Sequence, residues 1–584
     1  MRSRRTSLCR PGLCRPGLCR LLPALTALVA PALALDATST SRVSVGPGGA
    51  QANGGSGGGF GRTISVSDSG RFVAFTSEAT NLVAGDTNNE QDVFLRDREA
   101  GTTVRCSVGG SGQQGNGRCE NVTVSNDGRF VAYSSRSTNL VPGDTNATWD
   151  IFLWDATTGT SSLLSRGMGG SPGNGESYWP SMDEDGDRIV FESEATDLVP
   201  GDANGFQDIF VYRRTTDSIA IVSVADNEDP ATGDSSTPSI SRDGRLVAFA
   251  SRSRFDPLDP NTLTDVYVRD LVADTTELTP SQSGGFNVDL TEPSISTGGR
   301  YVAFQSRASN IPGGSNDGRW DVYRYDRQTD TTVLVSRATD GTDANLDAFI
   351  GGMSFDGAWI TFVTRSTTLA PGLTNALRCY VRRVDQEWTE RVSVSDAGTD
   401  LVGINSEPTI AGDGRFICFR TDQPNAVPGD TNLAFDIMVR DRGFGTRSAG
   451  GTYCNSTANS SGQPSELTVG GTNKLVDQSL VLVAEFLPAN SLGYFLFSET
   501  PGNVLGFGGS QGRLCLGGSI FRLSNFVQSS GGNGVVTLPL PFGQLPPAAT
   551  LSVGDTWNFQ YWFRDAVGGT ATSNTSSAVC VPLY

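Results

Sequence analysis

Short runs of alternating apolar and polar residues recur along the chain, and most of them follow an Asp-Gly pair. The first such run is RFVAFTS (71–77), and it belongs to a thirteen-residue segment that occurs seven times, starting at residues 65, 123, 181, 239, 294, 352 and 409. The glycines shared by these segments lie 55 to 58 residues apart. Strict alternation predicts β-strands, and a fixed period predicts a repeat architecture.

Each repeat predicts four strands. A short strand enters a tight turn that contains glycine, and the alternating run follows as the second strand. A loop of about 14 residues leads to a third strand such as DVFLRD, and another short turn leads to a fourth such as TTVRCSV. A single four-stranded sheet cannot cover its own two apolar faces, so the copies are expected to pack around an axis as a seven-bladed β-propeller.

The two ends of the repeat region indicate how the ring closes. The seventh copy contains its third strand, DIMVRD (436–441), but no fourth strand follows it. The segment TSRVSVGPGG (40–49) matches TERVSVSDAG (389–398), which holds the fourth strand of the sixth copy. We therefore expect the N-terminal strand to complete the last blade.

The segment PSISRDGRLVAFASRS and the DVYVRD strand after it resemble the repeats of TolB-like propellers, the WD40-like family of PD40 type. The resemblance covers residues 40–442 and implies a propeller in the cell envelope or outside the cell. It leaves the ligand open, because such propellers serve as scaffolds, as binding surfaces and as lids of peptidases. The repeats here are longer than usual, and no hydrolase domain follows them.

Residues 450–584 are rich in Gly, Ser and Asn and contain further strand-like runs, which predict a small β-sandwich of jelly-roll type. This region resembles an all-β module at the C-terminus of exported proteins from high-GC environmental bacteria. Its aromatic residues Trp557, Phe559, Tyr561 and Trp562 could form a carbohydrate platform. Alternation along a strand divides them between two faces, which favours core packing.

The N-terminus predicts export. Arg2, Arg4 and Arg5 precede the apolar run LLPALTALVAPALA (21–34), which ends in a small-x-small pattern. We expect residues 1–34 to be a cleaved signal peptide, residues 35–445 to form the propeller, and the protein to be secreted, periplasmic or on the cell surface. No later run reaches the ~18 apolar residues of a spanning helix, so no membrane span is expected. We also expect a monomer.

Composition removes several classes of function. The chain has no histidine, which excludes Ser-His-Asp triads, Cys-His dyads and histidine-ligated metals. It has one lysine, Lys474, and a net charge of −18, which argues against a nucleic-acid partner.

Seven cysteines remain beyond the signal. We predict one disulfide between Cys106 and Cys119 and another between Cys454 and Cys515, with Cys580 as the odd thiol. No bond is expected between Cys379 and Cys418.

A D-x-N-x-x-x-D motif recurs in the loops before the third strands. Its members are Asp86, Asn88 and Asp92; Asp144, Asn146 and Asp150; Asp202, Asn204 and Asp208; Asp259, Asn261 and Asp265; and Asp430, Asn432 and Asp436. Two interpretations remain open. The oxygen atoms suit calcium as a cofactor, and they also suit turns in which Asp and Asn accept hydrogen bonds from the backbone.

Two copies depart from this motif. In the sixth copy Leu373 replaces the first Asp and, by alignment, Cys379 replaces the last, while Asn375 is retained. In the fifth copy Ser315 and Asp317 stand where the first Asp and the Asn stood, and Asp321 is kept. We expect the two Asp and the Asn to converge in the five complete copies, and the sixth loop to be closed by apolar contacts.

These patterns predict a non-catalytic extracellular or envelope protein that presents one propeller face to a protein or polysaccharide. The expected face carries the loops after the second and fourth strands, with Trp149, Tyr178, Trp179, Phe206 and Trp320 near its strand ends. The alternatives are a carbohydrate-active enzyme that uses paired carboxylates and a purely structural surface component.

Overall fold

A computed structural model describes residues 38–442, apart from 59–60, 258, 260, 282–288, 316 and 371–372. Of the C-terminal region it describes residues 451–454, 466–470, 481–485, 487–498, 500–505, 513–517, 519–523, 526–530, 535–540, 545, 556–567 and 570–582. The predicted signal peptide lies outside these ranges. No helix in the described ranges is long and apolar enough to cross a membrane.

The repeats form seven antiparallel four-stranded sheets, which are the blades of a propeller. Blade one contains β2 Ile64–Val66, β3 Phe72–Ser77, β4 Asp92–Asp97 and β5 Thr102–Arg105. Blade two contains β6 Cys119–Val124, β7 Phe130–Ser135, β8 Asp150–Asp155 and β9 Thr160–Leu163. Blade three contains β10 Ser177–Met182, β11 Arg188–Ser193, β12 Asp208–Arg213 and β13 Ser218–Ile221. Blade four contains β14 Ser235–Ile240, β15 Leu246–Ser251, β16 Asp265–Asp270 and β17 Thr275–Leu278.

The remaining blades repeat this order. Blade five contains β18 Leu290–Ile295, β19 Tyr301–Ser306, β20 Asp321–Asp326 and β21 Thr331–Leu334. Blade six contains β22 Ala348–Met353, β23 Trp359–Thr364, β24 Arg378–Arg383 and β25 Trp388–Arg391. Blade seven contains β26 Asn405–Ile410, β27 Phe416–Thr421 and β28 Asp436–Asp441, and its fourth strand is β1 Ser39–Arg42.

The N-terminal strand closes the ring, as the sequence predicts. β1 pairs antiparallel with β28 from Ser39 opposite Asp441 to Arg42 opposite Met438. Ser44 continues the contact, because its Oγ donates a hydrogen bond to Asp436 at 2.6 Å. The first and last parts of the repeat region are therefore joined within one sheet.

The glycine of each Asp-Gly turn also serves the packing between blades. Gly128 has φ +70°, and a Cβ there would overlap the ring of Phe72 in the preceding blade. Gly357 stands in the same relation to Tyr301. A side chain at these positions would therefore meet both backbone strain and an aromatic ring.

The C-terminal region forms a β-sandwich. One sheet contains β29 Gly451–Cys454, β32 Leu492–Ser498, β35 Phe521–Arg522, β36 Gln528–Ser529, β38 Thr556–Val567 and β39 Thr570–Pro582. A three-stranded sheet contains β30 Glu466–Gly470, β31 Val481–Glu485 and β37 Val536–Pro539, and a hairpin contains β33 Thr500–Leu505 and β34 Arg513–Gly517.

Aromatic residues fill the core of this sandwich. Trp557, Phe559 and Tyr561 are buried in one cluster with Leu482 of β31. Trp562 points to the opposite face of β38 and packs on Tyr494, with ring centres 5.2 Å apart. The aromatic run therefore serves core packing, as alternation predicts.

Candidate binding site at the propeller axis

The innermost strands of blades two to seven share one irregularity. Their pairing with the second strand shifts by a bulge, for example between Tyr178 and Ser181 in blade three. Five non-glycine residues at this point have φ between +48° and +54°, namely Asn121, Trp179, Thr237, Glu292 and Glu407. Such a backbone costs about 1 kcal/mol or more for each residue and is concentrated at functional sites.

The bulge frees a backbone N–H, and the preceding blade supplies an acceptor for it. The amide of Thr237 donates to Oε2 of Glu192 at 2.7 Å. The amide of Ile350 donates to Oε1 of Gln305 at 3.1 Å. Glu192 and Gln305 are both the fifth residue of a second strand, so the axis is built from two positions in each repeat.

These two positions differ chemically from blade to blade, whereas the turns and the strand cores repeat. From blade one to blade seven the inner-strand position holds Thr63, Asn121, Trp179, Thr237, Glu292, Ile350 and Glu407. The second-strand position holds Thr76, Ser134, Glu192, Ala250, Gln305, Val363 and Arg420. The repeat is thus broken around the axis, where seven blades place unlike side chains side by side.

A cavity of about 450 Å³ lies among these residues and is lined in part by Arg62, Trp179, Glu292, Phe349 and Glu407. The guanidinium carbon of Arg62 lies 5.9 Å from the centre of the Trp179 ring. This volume is within the range of small-ligand sites, and aromatic and charged groups alternate around it.

The charges in the cavity are desolvated. Burial raises the pKa of Glu292 above its ordinary value, and the charge of Arg62 opposes that rise. Burial likewise raises the pKa of Glu407, which accepts a hydrogen bond from the Thr63 hydroxyl and faces Arg420 at 3.7 Å. Burial raises the pKa of Glu192 to about 7.

The other end of the axis is crossed by side chains. Arg242 of blade four forms an ion pair with Asp68 of blade one, and these blades lie on opposite sides of the ring. The Arg242 guanidinium also lies 5.5 Å from the ring centre of Phe355 in blade six. This is the end that carries the Asp-Gly turns. The cavity residues occur where the inner strands begin, which is the end with the long loops.

The aromatic residues predicted for the long-loop face have different environments. Trp179 lines the cavity, whereas Trp149 is buried against Tyr178 with ring centres 5.7 Å apart. Phe206 is exposed, and Arg307 lies over the Trp320 ring at 5.7 Å. The sequence did not indicate the charged members of the cavity, although a comparison of the repeats at the inner-strand position singles out Glu292 and Glu407.

The D-x-N-x-x-x-D motifs lie away from the axis, between the third strand of one blade and the loop that leads to the next blade. In blade one, Asn88 Nδ2 donates to Asp92 Oδ2 at 3.0 Å and to the Gly115 carbonyl at 2.8 Å. In blade three, Asn204 Nδ2 donates to Asp208 at 2.7 Å and to the Ala231 carbonyl at 3.2 Å. The Asn therefore ties the loop to the segment that joins two blades.

The other three complete motifs share parts of this network. Asn146 and Asn432 donate to the carbonyls of Gly173 at 3.2 Å and Ala52 at 2.7 Å. In blade four, Asn261 Nδ2 lies 3.5 Å from Asp265 Oδ2, and Asp259 accepts a hydrogen bond from the Tyr267 hydroxyl at 2.7 Å.

An arginine joins the two Asp residues in blades one and seven. Arg105 Nη1 lies 3.2 Å from Asp86 and 3.3 Å from Asp92. In blade seven, Arg42 of the N-terminal strand lies 3.2 Å from Asp430 and 3.0 Å from Asp436. These loops are thus closed by an internal cation.

The sixth blade differs from the prediction. Its third strand begins at Arg378 and not at Cys379, so an arginine stands where the other blades have Asp. Arg378 forms an ion pair with Asp400 at 2.7 Å and donates to the Thr374 carbonyl at 2.7 Å. The loop is one residue shorter than in most blades; Leu373 packs against the apolar core of the blade, as predicted, and the charge pair of Arg378 and Asp400 adds a polar closure that the sequence did not indicate.

In the fifth blade Ser315 stands at the position of the first Asp and contacts the Asp that is retained. Ser315 Oγ donates to Asp321 Oδ2 at 2.5 Å, and Asp317 forms an ion pair with Arg319 at 2.7 Å.

The predicted Cys106–Cys119 disulfide is not formed. Both are free, buried cysteines in one core cluster, and the Cys119 thiol donates to Ser135 Oγ at 3.3 Å. Burial raises the pKa of both thiols, which keeps them protonated. Cys379 and Cys418 are also free and buried. The side chains of Cys454, Cys515 and Cys580 lie outside the described residues, so that pairing stays a prediction.

No protein-family model matches the sequence, and no curated protein matches it. Solved structures with a similar fold include TolB from Acinetobacter baumannii, which is 13% identical with a TM-score of 0.31 over 60% of this chain and 76% of that one. Another is a putative TolB from Agrobacterium tumefaciens, 16% identical with a TM-score of 0.32 over 58% and 94%. A prolyl endopeptidase structure is 13% identical with a TM-score of 0.41 over 78% and 56%. These likenesses concern the propeller fold alone.

Proposed function

We propose that the protein is a non-catalytic binding protein of the cell envelope or the exterior, and that its partner enters the axial cavity from the long-loop face. The observation that carries this proposal is the concentration of unlike, partly buried charged and aromatic residues at the two axial positions. A purely structural ring would have no need for charge at an axis where every blade has the same geometry.

The chemistry of the cavity favours a glycan over a protein as the partner. Trp179 and Phe349 offer ring faces on which the C–H face of a sugar can pack. Glu292, Glu407 and Arg62 offer acceptors and donors for hydroxyl groups at fixed positions. A small set of polar groups within apolar walls is typical of sites that orient a small ligand.

A second function, glycoside hydrolysis, is favoured by one observation. Glu292 and Glu407 line the same cavity, and burial raises the pKa of both. An acid with a raised pKa can protonate a leaving group while a second carboxylate assists. Binding remains the leading proposal because the charge of a nearby arginine, Arg62 or Arg420, stabilises the ionised form of each acid.

A panel of immobilised polysaccharides tests both functions in one experiment. The full-length protein is applied to the panel, retention is measured, and the eluate is examined for released oligosaccharides. Retention without release supports the binding proposal. Release that disappears in the Glu292→Gln and Glu407→Gln variants would establish the hydrolase, and absence of retention on every polysaccharide would contradict a glycan partner.

A further inference from the structure

We propose that the acidic loops of blades two and three each bind one calcium ion, whereas the equivalent loops of blades one and seven carry an arginine in its place. Asp144 with Asp150, and Asp202 with Asp208, hold these two sites. This inference is independent of the proposed function at the axis.

The four carboxylates are deeply buried. Asp144 and Asp150 are 5% and 1% exposed, and Asp202 and Asp208 are 7% and 0% exposed. Asp144 Oδ1, Asp150 Oδ2 and Asp202 Oδ1 make no hydrogen bond although they are shielded from solvent. No ion pair within the described ranges involves any of the four residues. Burying an ionised carboxylate without a partner costs several kcal/mol, so these carboxyl groups must either hold a proton or be neutralised by a cation.

In blades one and seven an arginine supplies the positive charge at the equivalent place. The guanidinium of Arg105 contacts Asp86 and Asp92, and that of Arg42 contacts Asp430 and Asp436. The strand register places Leu163 of blade two and Ile221 of blade three where blade one has Arg105. The acids are kept in blades two and three while the side chain that neutralises them is replaced by a hydrocarbon.

A glutamine that belongs to the same network is lost together with the arginine. Gln114 contacts Arg105 at 2.9 Å in blade one, and Gln51 donates to Asp430 at 2.6 Å in blade seven. The isolated bridges of these loops place Pro172 and Pro230 at the same position in blades two and three. The arginine and the glutamine are thus both missing where both acids remain, which is the pattern expected when a cation supplies the charge.

The sixth blade supports the same rule of neutralisation. Its Arg378 replaces an Asp, and Asp400, at the position of the glutamine, forms ion pairs with Arg378 at 2.7 Å and with Arg391 at 3.4 Å. In the loops of blades one, six and seven, each of these acids is therefore paired with an arginine. Blades two and three have two acids and no basic residue at these positions.

The donor set indicates the kind of ion. Carboxylate oxygens are hard ligands that calcium accepts in irregular, flexible geometry. No third acidic or cysteine ligand joins either pair within the described ranges. Backbone carbonyls and water would complete the coordination, which is typical of the weak sites of extracellular modules with Kd values of roughly 10⁻⁴ to 10⁻³ M.

The test uses the full-length protein after removal of metal with a chelator. Isothermal titration calorimetry should show two calcium ions per chain, and about 10 mM calcium should raise the melting temperature, since binding to the native state alone stabilises it. The variant Leu163→Arg/Pro172→Gln installs the groups of blade one in blade two and should lose one of the two ions. Ile221→Arg/Pro230→Gln should do the same in blade three, and the combined variant should bind none.

Ser162→Arg is the matched control, because it adds the same charge on the exposed residue next to Leu163 and should keep both ions. If an arginine variant fails to fold by circular dichroism, Asp144→Asn replaces it and should also lose one ion. Three results would overturn the proposal: no binding at about 10 mM calcium, binding that the blade-two and blade-three variants leave unchanged, or an equal response to magnesium or sodium.

Discussion

The two ends of the propeller axis are formed by the same seven inner strands, but they are built differently. At the Asp-Gly turn end, Arg242 crosses the axis to Asp68 and covers the Phe355 ring. At the long-loop end, a cavity is lined by the residues at which the repeats differ most. The residues that recur in every repeat thus maintain the fold, and the residues that differ between repeats form a site with its own chemistry.

The largest effect is expected from opening the ring, on which both ends depend. Deleting residues 39–46 removes β1, leaves the edge of β28 unpaired and takes Arg42 away from Asp430 and Asp436. Removing one partner from a buried ion pair costs roughly 3–5 kcal/mol, so urea unfolding should show at least that loss. An unchanged midpoint would mean that the ring is closed by other contacts.

A smaller loss is expected from the turn end alone. Arg242→Ala leaves Asp68 without the ion pair that crosses the axis and should lower the free energy of unfolding by about 2 kcal/mol. Arg71→Ala, which breaks an exposed pair with Asp97, is the control and should cost far less, because solvent screens an exposed ion pair. Equal losses in the two variants would show that the ion pair across the axis stabilises the protein no more than an exposed ion pair does.

Glu192, which supports the bulge near the cavity, predicts a pH dependence. Because burial raises its pKa to about 7 in the folded state, the native protein holds that proton to higher pH than the unfolded chain does. Stability from this group is therefore lost as the pH rises from about 4.5 to about 7. Glu192→Gln should be more stable than the wild type at pH 8 by about 3 kcal/mol, and the difference should vanish near pH 4. A constant difference across this range would contradict the assignment.

The smallest effect on stability is expected at the long-loop end. Phe349 is 39% exposed, so Phe349→Ala should change the free energy of unfolding by no more than about 0.5 kcal/mol. The same variant should reduce retention on the polysaccharide that the wild type binds. A large loss of stability, measured by urea unfolding, would indicate that the residue belongs to the core and not to a binding surface.

The fold could be predicted from the sequence because its determinants are local and repeated. The Asp-Gly turns, the alternating strands and the match between residues 40–49 and 389–398 together predicted seven blades and their closure. The cavity could not be predicted from the sequence, because Arg62, Glu292 and Glu407 come from blades one, five and seven and lie close together only in the folded protein. The error at Cys379 has a similar origin, since a loop shorter by one residue shifts an alignment that only strand pairing fixes.

Retention on one polysaccharide distinguishes the two ends of the axis as binding sites. The double variant Phe349→Ala/Glu292→Gln and the variant Arg242→Ala are applied to the polysaccharide panel beside the wild type, at equal folded concentration. If the ligand binds at the long-loop end, the double variant loses retention and Arg242→Ala keeps it. Retention that survives in the double variant, or that is lost only in Arg242→Ala, would contradict a binding site at the long-loop end of the axis.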